Sequence, residues 1–165
     1  MTRASRSLGA ACRTLAAALL LAASPHAGAG TCTASGLPTA FGVYDLLAVL
    51  PNLSTGSVSV VCQAVPVVAV QSYTVSLSTG GSGTYAARRL LSGAHTLQYQ
   101  LYTDATRTTV WGDGSAGTAT VANSFTLSVL VPVSANHIVY ARMPAMQSGA
   151  AAGAYADTII VTVTY

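Results

Sequence analysis

Apolar and polar residues alternate with a period of two along most of the chain after residue 30. Six segments carry this pattern and are rich in Val, Ile, Thr and Tyr: 57–62, 73–78, 96–103, 125–133, 137–143 and 157–165. This composition suits a pleated, half-buried surface, and clusters of Gly, Ser, Asn and Pro separate the segments. The sequence therefore predicts an all-β fold, an antiparallel β-sandwich. Pro132 lies inside the fourth segment and predicts an edge or a bulge there.

The N-terminal residues have the features of a secretory signal. Three arginines precede the apolar run 15–23, and small residues occupy 27–29. We therefore expect a signal peptide over 1–29 and one domain over 30–165. The apolar run is shorter than the roughly 20 residues that a membrane helix needs, so the mature chain is expected to have no membrane span.

The charge of the expected mature chain is balanced. The full sequence has seven basic and four acidic residues, with no lysine and no glutamate. Three of the arginines belong to the predicted signal, which leaves four arginines and four aspartates. A chain without excess positive charge lacks the electrostatic basis for nucleic-acid binding.

The sequence contains no recognisable catalytic motif. No serine lies in a G-x-S-x-G pattern, and the glycine-rich segment 78–84 lacks the lysine of a phosphate-binding loop. His95 and His137 have no carboxylate neighbour in sequence. We expect a protein that is not an enzyme and that uses no cofactor.

Two cysteines, Cys32 and Cys62, lie outside the predicted signal. In an exported protein such a pair is expected to form a disulfide, worth about 3 to 4 kcal/mol on chain-entropy grounds for this loop length. The alternative is a metal site that also uses His95 and His137. These four residues lack the paired short spacings of zinc ligands, so no metal is expected.

The final segment is apolar on one face and ends without a polar tail. Ile159, Val161, Val163 and Tyr165 share that face, and no charge or proline follows Asp157. An apolar edge strand is normally protected by such residues. Either this strand is internal to a sheet, or a partner supplies a neighbouring strand by β-augmentation.

The segment 97–114 contains the only tryptophan and much of the charge. In a structural interpretation of this segment, Tyr99 lies on the core face and Asp104 pairs with Arg107 across a turn. Trp111 then supplies a large buried surface, and the glycines that flank Asp113 permit a tight reversal.

The alternative interpretation of the same segment is a binding function. Aromatic residues on exposed loops bind sugars, so Trp111, Tyr102 and Asp113 are a candidate glycan-binding patch. The two interpretations differ in whether Trp111 is buried or exposed.

Several segments together resemble the spore coat protein U domain family. The pattern L-x-Y-x-L-Y-x-D-x-x-R-x-x-x-W-G-D-G over 97–114 and the pattern Y-x-D-T-x-x-V-T-V-x-Y over 155–165 carry the resemblance, with 41–45, 56–62, 88–90 and 139–147. The residues that match these motifs, read here as structural, are Arg88, Arg89, Tyr99, Tyr102, Asp104, Arg107, Trp111, Asp113, Tyr155 and Asp157.

The resemblance implies an immunoglobulin-like sandwich that lacks its last strand, as in subunits of archaic chaperone-usher pili. A periplasmic chaperone and then a neighbouring pilin subunit would supply that strand, and an outer-membrane usher would assemble the fibre. The acceptor edge would be Ile159, Val161, Val163 and Tyr165, with the Tyr165 carboxylate held by basic residues of the chaperone. The protein would pass through the periplasm to the cell surface or a pilus.

The N-terminus of the expected mature chain differs from that of the shaft subunits in this group. Shaft subunits of this group have an alternating apolar extension before their first cysteine, whereas only Gly30 and Thr31 precede Cys32 in the expected mature chain. We therefore expect a chain that accepts a strand without donating one. The alternatives are a stand-alone secreted coat protein and an adhesive or glycan-binding module.

Overall fold

The computed structural model describes residues 30–63, 69–128 and 131–165, and the predicted signal over 1–29 lies outside them. The described chain contains a short 3₁₀ helix, Gly80–Ser82, and eight strands. These are β1 (Cys32–Leu37), β2 (Asn52–Cys62), β3 (Ala69–Leu77), β4 (Arg88–Ser92), β5 (His95–Tyr102), β6 (Val121–Leu127), β7 (Val133–Met143) and β8 (Val161–Thr164). Among the described residues, no helix is long and apolar enough to cross a membrane.

The strands form two antiparallel sheets. One sheet has the order β1-β2-β7-β5-β4 and the other has the order β6-β3-β8. Residues at alternate positions of β2 and β3 are buried, because successive side chains of a strand point to opposite faces. The predicted all-β, immunoglobulin-like sandwich is confirmed.

Several strand boundaries differ from the sequence expectation. The segment predicted over 125–133 is divided, because β6 ends at Leu127 and β7 begins at Val133. Pro132 lies between them rather than within a strand, which fits its lack of a backbone N–H for a sheet hydrogen bond. Strand β8 covers only 161–164 of the predicted 157–165.

The disulfide is confirmed and attaches β1 to its sheet. Cys32 lies directly opposite Cys62, with their Cα atoms 4.0 Å apart. Of the six residues of β1, only Cys32 is buried, so the disulfide anchors an otherwise exposed edge strand. The alternative that used both cysteines as metal ligands is wrong, because the two sulfurs are bonded to each other.

The chain leaves β1 by crossing over the inner face of β2. A Cβ atom on Gly56 would lie 2.8 Å from the carbonyl oxygen of Leu37 and 2.7 Å from Oγ1 of Thr39. Glycine is therefore needed at this crossing, since such distances are shorter than carbon-oxygen contact allows. Beyond it, the Phe41 ring packs edge-on against Tyr99, 5.8 Å between centroids. The crossing places residues 38–41 at one end of the space between the sheets.

Candidate functional site: an open groove between two sheet edges

One edge of each sheet borders a shared cavity. Strand β1 is an edge of the five-stranded sheet, and β8 is an edge of the three-stranded sheet. The cavity between them measures about 340 Å³, and residues 36–39 and 157–161 form its sides. Its floor consists of core side chains, Val58, Leu77, Tyr99, Leu101 and Val139. The cavity between β1 and β8 therefore reaches the hydrophobic core of the sandwich.

The outer edge of strand β8 faces this groove and pairs with no other strand of the described chain. The Ser78 amide donates to the carbonyl oxygen of Ile160 at 2.9 Å, and Thr162 and Thr164 continue that register opposite β3. In an antiparallel pair, successive residues direct their N–H and C=O groups alternately toward and away from the neighbouring strand. The backbone groups of Val161 and Val163 therefore point away from β3.

Strand β1 has the same arrangement on the opposite side. The Gln63 amide donates to the carbonyl oxygen of Thr31 at 2.8 Å, so alternation directs the backbone groups of Ala34 and Gly36 away from β2. Both residues share the inward face with Cys32, yet both are exposed. Small residues on an inward face without cover leave room for another chain.

The four residues predicted for the acceptor edge have two kinds of environment. Ile159, Val161 and Val163 are half-buried and pack against the core. Tyr165 is 49% exposed. Three of the four side chains thus lie between the sheets, and their strand offers its free backbone to the groove.

A hydrogen-bonded group borders one end of the groove. The Asp157 carboxylate accepts from the Tyr99 hydroxyl at 2.7 Å, from the Gly81 amide at 2.9 Å and from the Thr158 amide at 2.8 Å. Burial raises the pKa of Tyr99, and the bond to Asp157 raises it further. The segment before β8 is therefore held to β5 and to the 3₁₀ helix by one carboxylate.

Arg88 is buried completely and bonds to neutral acceptors. Its Nε and Nη2 atoms donate to the Ser78 carbonyl at 3.1 and 2.8 Å, and Nη2 also donates to the Trp111 carbonyl at 2.7 Å. Its Nη1 donates to Oε1 of Gln100 at 2.7 Å. Burial lowers the pKa of this guanidinium. Arg88 thus joins three segments that are distant in sequence, whereas Arg89 is exposed on β4.

Trp111 has no exposed surface. Its indole Nε1 donates to the Val75 carbonyl at 3.1 Å. It therefore cannot present a face to a sugar, and the glycan-patch interpretation is wrong in its central residue. Asp113 instead accepts from the Ser115 amide at 2.9 Å, and the bonds from Ser115 lower its pKa. Tyr102 forms an antiparallel bridge with Val110.

The side chains of Asp104 and Arg107 do not form the expected ion pair, although the Arg107 amide donates to the Asp104 carbonyl oxygen at 3.0 Å. The Asp104 carboxylate accepts from the amides of Thr108 at 3.0 Å and Thr109 at 2.7 Å and from the Thr106 hydroxyl, and these bonds lower its pKa. Arg107 adopts a left-handed φ of 57° and donates from Nε to the Ala141 carbonyl at 3.1 Å. The loop folds its backbone amides onto the carboxylate, and the arginine side chain extends to β7 instead.

Tyr155, another of the motif residues, bonds to the backbone of the loop that precedes it. Its hydroxyl accepts from the Ala151 amide at 2.9 Å and donates to the Ala151 carbonyl at 3.0 Å. The structure therefore does not gather the ten motif residues in one place. It gathers four of them, because Arg88 lies opposite Tyr99 in the β4–β5 pair and donates to Trp111, and Tyr99 donates to Asp157. Of the others, Tyr102 is half-buried on β5, and the rest lie in loops or on the surface.

Sequence reasoning missed an apolar loop between β1 and β2. Val43 is 93% exposed and Leu47 is 88% exposed. The loop adjoins the crossing at Thr39, next to the groove. The signal was present in the segment 46–50, a run of Leu, Leu, Ala, Val and Leu without strand alternation.

The pair formed by His137 and Tyr73 predicts a pH-dependent stability. The Tyr73 hydroxyl lies 2.9 Å from Nε2 of His137, and burial lowers the pKa of that histidine. A lowered folded pKa means that the unfolded chain binds the proton more tightly. Stability is therefore complete above pH of about 6.5, the ordinary histidine value, and decreases as the pH falls toward the folded pKa, by at most about 1.4 kcal/mol per pH unit.

Urea unfolding between about pH 5 and pH 8 measures this dependence. His137→Gln retains hydrogen-bonding groups at this position without titrating, so we expect it to flatten the profile across this range. A wild-type profile that does not fall on acidification, or an unchanged profile in the variant, would show that His137 is not responsible.

Comparisons with known proteins agree on the family. The sequence pattern of the spore coat protein U domain matches residues 16–162. Protein U of Myxococcus xanthus is 33% identical over 141 residues, which cover 76% of this chain and 70% of that protein.

A solved structure also matches, the CsuC–CsuE chaperone–tip adhesion subunit pre-assembly complex from archaic chaperone-usher Csu pili of Acinetobacter baumannii. The match has a TM-score of 0.45 and 21% identity and covers 82% of this chain but 40% of the solved chain. The family match, which spans most of the sequence, and the identity to Protein U determine the assignment: this chain belongs to the spore coat protein U domain family.

Proposed function

We propose that this chain is a non-enzymatic, exported structural protein that accepts a β-strand from a partner in the groove between β1 and β8. One observation carries the proposal. Two sheet edges with unpaired backbone groups border one apolar cavity, and the floor of that cavity is the hydrophobic core. An incoming strand forms hydrogen bonds with an edge and places alternate side chains on the core.

The energetics favour occupation of the groove. Each apolar side chain that the incoming strand buries contributes about 1.5–3 kcal/mol. The strand also pairs the free backbone groups of Val161 and Val163. Three or four such side chains give about 5–12 kcal/mol, which is similar to the cost of ordering about seven residues at about 1–2 kcal/mol each. The hydrogen bonds to β8, at about 0.5–1.5 kcal/mol each, therefore decide the net gain.

The partners follow from the family and from the architecture. We propose that a periplasmic chaperone supplies the strand first and that a neighbouring subunit replaces it when an outer-membrane usher assembles the fibre at the cell surface. Membership of the family supports this proposal. A stand-alone coat protein with a complete sandwich is the competing outcome.

A strand fused to the chain tests the acceptor groove without an identified partner. The fusion adds a glycine-rich turn and about seven alternating Val and Thr residues after Tyr165, so that the added strand folds back along β8. We expect the melting temperature to rise by about 10 °C or more, since several kcal/mol of burial correspond to this shift in a domain of this size.

Two matched controls accompany that fusion. A strand of equal length with Ser in place of every Val is expected to leave the melting temperature unchanged. Val161→Asp combined with Val163→Asp changes side chains that pack against the core, so this variant is measured with and without the Val strand. We expect the Val strand to give no gain in that background. If the Val and Ser strands give the same melting temperature, the groove does not accept a strand and the coat-protein alternative gains support.

A further inference from the structure

A second and larger cavity adjoins the groove. It measures about 1100 Å³, and the loops 39–47 and 150–157 form its walls. Inward-facing side chains of the five-stranded sheet form its floor, namely Leu90, Leu97 and Met143. It therefore lies over the part of that sheet that the shorter, three-stranded sheet leaves uncovered.

The two cavities meet at the end of the groove where β8 begins. Thr39, Phe41, Leu90 and Asp157 line both of them. A strand that runs along β8 from Tyr165 toward Asp157 arrives at this junction. A longer strand in the same path enters the second cavity.

The chemistry of the second cavity disfavours an anionic occupant. No lysine, arginine or histidine lines it, and its two carboxylates are already bonded within the chain. The Asp45 carboxylate accepts from the Leu47 amide at 2.9 Å, and Asp157 is bonded to Tyr99 and Gly81. The other lining groups are mainly apolar, so an apolar, uncharged segment fits.

The wall formed by 150–157 is small in side chains and held in place. Five of its eight residues are alanine, which leaves volume inside the cavity. The amide of Ala156 donates to the Leu91 carbonyl at 3.1 Å, and the Leu91 amide donates in return at 2.8 Å. The cavity is therefore bordered on this side by a segment paired to β4.

From this continuity we infer that the second cavity receives the end of the incoming strand itself. The recognised strand is then about four residues longer than the groove between β1 and β8, and its final side chains are apolar and uncharged. The inference rests on the proposed strand acceptance and adds the length and the terminal chemistry of the strand.

Strands of two lengths, fused after Tyr165 as above, test this inference. The short strand is the Val and Thr strand already described. Two longer strands add either Leu-Thr-Leu-Thr or Ser-Thr-Ser-Thr at its end. We expect the Leu extension to raise the melting temperature by about 5 °C beyond the short strand and the Ser extension to add nothing, because only leucine side chains gain from the apolar cavity.

A substitution in the cavity wall tests whether the Leu extension acts by entering the second cavity. Ala150 is half-buried and packs against the core, so Ala150→Phe fills part of the cavity from within the chain. We expect the variant to keep the gain from the short strand and to lose the gain from the Leu extension. Each gain is measured within one background, so a change in the basal stability of the variant does not affect the comparison.

The outcomes separate the two proposals. If the short strand gives no gain, strand acceptance in the groove is wrong. If it does, and the Leu and Ser extensions are equal, the groove stands and the inference about the second cavity is overturned. A Leu gain that persists in Ala150→Phe, or one that depends on protein concentration, also overturns it, because the extension then binds elsewhere or to a second copy.

Discussion

Trp111→Ala lowers the free energy of unfolding by about 3–5 kcal/mol, the range for loss of a fully buried large aromatic side chain. The indole has no exposed surface and also bonds to the Val75 carbonyl, so the substitution leaves both a cavity and an unpaired acceptor. Urea unfolding measures the loss.

Trp111→Phe is the matched control for that experiment. It retains most of the apolar surface and loses the indole donor, and we expect a loss of about 1–3 kcal/mol. A Trp111→Ala protein within about 1 kcal/mol of the wild type would contradict a structural role and would reopen the question of a binding surface.

Arg88→Lys is expected to lower the free energy of unfolding by about 3 kcal/mol or more. The planar guanidinium donates at once to Ser78, Trp111 and Gln100, and a single ammonium cannot reproduce this fork. The lysine would leave buried carbonyl groups unpaired, each at a cost of about 1–3 kcal/mol.

The neighbouring arginine provides the control. Arg89 is exposed on the same strand, and Arg89→Lys is expected to change stability by less than about 0.5 kcal/mol. Equal effects of the two substitutions would show that the hydrogen bonds of Arg88 do not stabilise the fold.

Local sequence patterns predicted the strands whose two faces differ. In β2, β3, β5 and β7 the alternation of apolar and polar residues follows the burial of successive side chains, so the pattern is visible without the structure. Strand β1 was not predicted because it is nearly all exposed, and β4 was not predicted because it begins with two arginines. Their pairing depends on neighbours that are distant in sequence.

The residues of the candidate site also fall into those that a local pattern shows and those that depend on the path of the chain. The apolar face of the last strand is a local pattern, and the family resemblance implied Ile159, Val161, Val163 and Tyr165 as an acceptor edge. The opposing edge, β1, and the second cavity depend on how the chain crosses at Gly56 and on where the two loops come to lie. The partners of Arg88 are carbonyl groups of other segments, which have no sequence signature.

The ion pair expected between Asp104 and Arg107 shows the limit of charge patterns. Both residues lie in one loop, yet backbone amides satisfy the carboxylate and a carbonyl on β7 satisfies the arginine. Opposite charges near each other in sequence indicate the residues that need partners. The backbone path decides which partners they find.

Amide hydrogen exchange along β8 tests the open groove most directly. The amides of Thr162 and Thr164 face β3, whereas those of Val161 and Val163 face the groove. Hydrogen-bonded amides exchange slowly, so we expect slow exchange at Thr162 and Thr164 and fast exchange at Val161 and Val163 in the chain without a partner strand. Slow exchange at all four amides would contradict the account, because β8 would then be paired on both sides within its own chain.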